Sequence, residues 1–136
     1  MHRDIPSASE TSEQVALGGE TLEILKQKVE EAGFIYVNTQ GYKSDLDINK
    51  TQVAIDFHAQ GKGRNAPRIS PLGPDWGRDV PLPLFHQFVM EYFIYMPMPE
   101  WGDGEYLSMP THDGAMVTEH GIGYYYPPVT EIRIIP

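Results

Sequence analysis

Residues 60–83, QGKGRNAPRISPLGPDWGRDVPLP, limit what this chain can fold into more than any other stretch. Pro67, Pro71, Pro74, Pro81 and Pro83 recur too closely for a helix or a central strand to pass through, because each removes a backbone donor and fixes φ. Connections without regular structure beyond about 12–15 residues are uncommon in compact domains and tend to carry function. The segment is therefore read as a long Pro/Gly-rich loop, with regular elements built on either side of it.

On the N-terminal side there is room for one helix. Over residues 20–32, Leu22, Leu25, Val29 and Ala32 fall on a single stripe, and Gly33 supplies a stop. Residues 34–39 (FIYVNT) read as a strand, and 41–45 as a turn. A second strand is expected over 51–59, where Val53, Ile55 and Phe57 alternate with Asp56 and His58. Beyond the loop, residues 84–98 (LFHQFVMEYFIYMPM) fit a helical period through Phe85, Phe88, Val89, Tyr92 and Phe93. They fit strand alternation through Phe88, Met90, Tyr92 and Ile94 nearly as well. Aromatic and β-branched enrichment and the flanking prolines favour the strand. Shorter strands are expected at 105–108, 115–119, 123–126 and 131–135. The fold expected is α+β: one N-terminal helix followed by a mainly antiparallel sheet of about six strands.

At 136 residues the chain supports one compact domain, placed at 14–136. Residues 1–13 (MHRDIPSASETSE) are too polar to bury much and read as an extended arm. No signal peptide and no apolar run of spanning length, about 20 residues, is visible. The expectation is a soluble protein made in the cytoplasm with no membrane partner.

Most specific chemistries fail on their residues. There is no cysteine, which excludes disulfides, zinc–thiolate sites, iron–sulfur clusters and thiol nucleophiles. A net charge of −9 argues against a general nucleic-acid binder. Gly61 to Ala66 spells G-x-G-x-x-A after a strand, but prolines follow where a phosphate-binding helix would have to open. Ser70 and Ser108 lack a nucleophile elbow, and Asp103 and Glu105 sit in WGDGEY, a hairpin-turn composition rather than a glycosidase acid pair. No cofactor is expected. Asp56 and His58 share one strand face, and with His112 and His120 they form the one candidate set for a divalent metal, without H-x-H or H-E-x-x-H spacing.

Two features point to protein contacts. Trp76, Tyr95, Trp101, Tyr124, Tyr125 and Tyr126 belong to residue types enriched at interfaces and lie among prolines and methionines. Charge is also segregated. Residues 1–59 carry −5 and residues 80–136 carry −6, whereas 60–79 carry +2 through Lys62, Arg64, Arg68 and Arg78 against Asp75 and Asp79. A basic loop on an acidic body suits head-to-tail association in which Arg64, Arg68 and Arg78 meet an acidic neighbour, and equally a loop that folds back on its own domain. The expectation is an assembly subunit joining itself or other subunits, of the kind used as phage neck, tail or decoration proteins and so incorporated into a virion. The alternatives are a small acidic inhibitor, such as an immunity protein or antitoxin, and a metal-dependent enzyme on the histidine set.

Overall fold

A computed structural model of the chain describes residues 16–59, 67–128, 130, 131, 134 and 135. Helix α1 (Gly18–Glu31) is followed by β1 (Ile35–Tyr36), β2 (Gln52–Ala59), β3 (Gln87–Pro97), β4 (Tyr106–Thr118) and β5 (Gly121–Tyr124). The strands form one curled sheet in the order β1-β2-β3-β4-β5, parallel only between β1 and β2. This is the α+β arrangement expected, with five strands instead of about six. The arm at 1–13 lies outside the described residues, as do residues 60–66 of the loop.

The helix starts where Leu17 N–H donates to the Glu20 carboxylate at 3.1 Å. It stops at Gly33, whose φ of +90° lets Gly33 N–H reach Glu30 O and Phe34 N–H reach Val29 O. Its N-terminal half seats Leu22 on Ile55, Phe57, Phe88, Met90 and Ala115. Gly18 is there because no side chain fits: a Cβ would stand 2.3 Å from the Arg68 carbonyl oxygen.

Strand β2 is the spine. Residues Gln52 to Phe57 are buried on both faces, not alternately. α1 covers the odd-numbered side, and the connection from 38 to 51 packs on the even-numbered side. There the Gln52 amide exchanges two hydrogen bonds with the Lys43 backbone, at 2.9 and 2.8 Å. The 34–39 strand shrinks to Ile35–Tyr36 because the chain leaves the ladder after Val37 N–H bonds to Val53 O. Within 84–98, Gln87–Pro97 is strand, not helix. The expected strands at 105–108 and 115–119 are the two ends of one 13-residue strand, β4. Residues 131, 134 and 135 belong to no strand. Residues 67–83 hold a short 3₁₀ turn, Asp75–Arg78, and isolated bridges from Ile69 to Phe57 and from Pro81 to Leu17.

The β3–β4 ladder has a fixed parity. Val117 N–H bonds to His86 O and Met98 N–H to Glu105 O, so the odd-numbered residues of β4 point their backbones at β3. The even-numbered ones, Tyr106, Ser108, Pro110 and His112, turn theirs outward. Pro110 can occupy the middle of a long strand because its nitrogen faces away from the ladder.

Candidate functional site

The basic loop is tied to its own chain wherever it is described. Ile69 exchanges backbone hydrogen bonds with Phe57 at 2.9 and 3.0 Å, extending the edge of β2 beyond β1. This brings Arg68 onto Asp56: Nη2 lies 2.8 and 2.9 Å from the two carboxylate oxygens and Nε 3.1 Å from Oδ1. The Asp56 side chain is 6% exposed and that of Arg68 31%. Arg78 lies 3.2 Å from Asp75 and donates to Pro71 O at 3.4 Å. Arg64 lies outside the described residues. Arg68 and Arg78 thus meet acidic partners within the chain, the fold-back arrangement of the two expected for this loop.

Of the metal candidates, Asp56 is taken by Arg68, and His120 sits in the turn between β4 and β5. His58 and His112 do converge, on Glu91 rather than on each other. His112 Nε2 lies 2.7 Å from Glu91 Oε1, and His58 Nε2 lies 3.6 Å from Oε2. Glu91 stands directly opposite both Asp56 and His112 in the register. Each imidazole addresses a different oxygen of the carboxylate. Among the described residues no three His, Asp or Glu side chains are placed to hold a metal ion.

The aromatic candidates separate. Tyr95 is 5% exposed; its hydroxyl accepts from Gly41 N–H at 2.7 Å and its ring packs edge-on to Tyr106, which stacks on Tyr42. It anchors the 38–51 connection and is not a surface residue. Trp76 and Trp101 are exposed but stand in different 3₁₀ turns. Tyr124, Tyr125 and Tyr126 are exposed together at the end of β5.

Two surfaces flank β5. The first is its outer edge. Tyr125 N–H bonds to Gly114 O, so the alternation turns the N–H and C=O of Ile122 and Tyr124 away from β4. Among the described residues nothing pairs with them. Residues 121–128, GIGYYYPP, carry no charge in a chain of net −9. Next to this edge, Leu82, Leu84, Val117 and Ile122 line a hollow of about 780 Å³. Beside it Phe85 is 65% exposed and held at φ +63°, a strained conformation for an L residue.

The second surface is a groove of about 480 Å³ between the C-terminal half of α1 and the part of the sheet that the helix leaves open. Leu25, Val29, Phe34, Val53 and Ile94 supply its apolar wall. Tyr92, Asp113 and Tyr124 run diagonally across β3, β4 and β5 on the same face. Burial pushes the Tyr92 phenol up to about 12, helped by Tyr124 and Asp113 beside it. Sequence reading missed Asp113 and Tyr92 as neighbours, because only the β3–β4 register puts them on one diagonal. No helix among the described residues is long and apolar enough to cross a membrane.

Comparison with protein-family models, with curated proteins and with solved structures returns no match.

Proposed function

We propose that this chain is an assembly subunit that acts through protein–protein contacts at the β5 side of its sheet, of the class that builds particles such as virion necks, tails or coats. One observation carries the reading: the outer edge of β5 is unpaired among the described residues and uncharged, and it continues into three exposed tyrosines. An open edge is a template for another strand, and proteins that must stay apart blunt such edges with lysine, proline or inward charge. The uncovered part of β4 carries Pro110 facing outward, whereas Gly121 to Tyr126 carries no such device.

The partner that fits is a second copy. Acidic bodies repel, and an uncharged edge is where like-charged copies approach at least cost. Antiparallel pairing about Gly123 sets Ile122 of one copy opposite Tyr124 of the other and holds the two Glu119 side chains at opposite ends. Such an isologous contact closes as a dimer that other subunits can extend.

The test uses Ile122→Pro. The Ile122 nitrogen faces outward, so proline deletes an edge donor while every β4–β5 ladder bond remains. In sedimentation velocity the wild type is expected to associate and Ile122→Pro to stay monomeric, with matching circular dichroism. A wild type that is monomeric at every concentration overturns the assembly reading and favours the acidic inhibitor.

A further inference from the structure

We propose that the groove beneath the C-terminal half of α1 binds a small amphipathic amine, its ammonium at Asp113 and its apolar body along Leu25, Val29, Phe34, Val53 and Ile94. The site does not depend on the assembly reading, since the outward backbone of Tyr124 serves the edge while the groove uses its side chain.

Three observations choose this ligand class. The volume, about 480 Å³, falls within the range of small-molecule sites, and its wall is apolar with few polar groups, which is how such sites are built. Two charged side chains line it, Asp113 and Lys28. Asp113 brings an acceptor with no Lys, Arg or His nitrogen at salt-bridge distance among the described residues; Lys28, the cation on the rim, is held 2.9 Å from Glu31. Tyr92 and Tyr124, with Phe34 across the groove, add aromatic side chains, and ring faces attract ammonium groups. The raised Tyr92 phenol is consistent with a half-desolvated setting that strengthens a charge-assisted hydrogen bond. Finally, a chain of net −9 draws cations and repels carboxylates.

The experiment titrates ¹⁵N-labelled full-length protein with 4-phenylbutylamine, and separately with 4-phenylbutanoate, which has the same body and the opposite charge. The amine is expected to saturate, with amide shifts centred on residues 92, 111 and 113. Asp113→Asn should weaken it about tenfold or more, the scale of a charged hydrogen bond. Phe34→Ala, at an exposed position, tests the apolar wall without relying on Asp113, and should weaken binding as well. The same titration of Ile122→Pro should give unchanged affinity, which separates this site from the edge. Three results would each overturn the proposal: no saturable binding of the amine, equal binding of the carboxylate, or unchanged amine binding by Asp113→Asn.

Discussion

Replacing Arg68 by methionine keeps most of the side-chain bulk and removes all three contacts to Asp56, leaving a carboxylate that is 6% exposed without its cation. An exposed ion pair is worth about 0–1 kcal/mol. A deeply buried one, broken from one side, costs about 3–5 kcal/mol because the remaining charge is stranded. Arg68 is itself 31% exposed, so water can enter the space it vacates and partly solvate Asp56. The expected loss is therefore intermediate, about 2–3 kcal/mol in urea unfolding at neutral pH. Amide exchange at Ile69 should accelerate as well, since its hydrogen bond to Phe57 O joins the same segment to β2. Adding Asp56→Asn removes the stranded charge, so the double variant should be more stable than Arg68→Met alone, with a coupling energy of about 1–2 kcal/mol. A loss under about 1 kcal/mol, with Ile69 still protected, would show that the pair does not clamp this segment and would refute the reasoning.

Gly18→Ala should cost about 2–3 kcal/mol, because the new methyl meets backbone oxygens of Arg68 and Gly77 that cannot rotate away; thermal unfolding reads it. Phe85→Asn should stabilise by about 0.5–1 kcal/mol, since asparagine tolerates the left-handed φ of +63° better, and a lower thermal midpoint would contradict the strain. Burial holds the His86 imidazole below its usual 6.5, and its Nε2 is buried without a partner. The unfolded chain then takes up a proton below about pH 6.5 that the folded one resists, so this contribution is neutral above that pH and destabilising as pH falls through it. The stability of His86→Phe should accordingly fall less than wild type between about pH 6.5 and 5, and parallel curves would refute the assignment.

Local pattern made α1 and β2 legible. The stripe from Leu22 to Val29 and the alternation around Val53, Ile55 and Phe57 are short-range signals, and both elements lie within two residues of where those signals put them. What sequence could not supply was register. Residues 109–114, left between two expected short strands, sit inside β4, and Pro110 is accommodated because its nitrogen points outward. Glu91 gave no sign of meeting His58 and His112, since cross-strand neighbours are far apart in the chain. Whether Arg68 would meet an acid of its own chain or of a neighbour was not legible, because nothing local announces the bridge at Ile69 that folds it onto Asp56. The expected strand at 131–135 rested on composition alone; of its described residues, Ile134 and Ile135 are 89% exposed and none belongs to a strand.

The position of Pro110 has a consequence for how the β3–β4 hairpin forms. Eleven pairs align these strands, and repetitive aromatic and aliphatic side chains would tolerate several near-miss alignments during folding. A slip of one residue would turn the proline nitrogen toward a β3 carbonyl that needs a donor. It would also move Ala115, fully buried beside Phe88, to the opposite side of the sheet. The misaligned hairpin is thus penalised near its centre. A residue that looks like an interruption works as an error check on alignment while the chain folds.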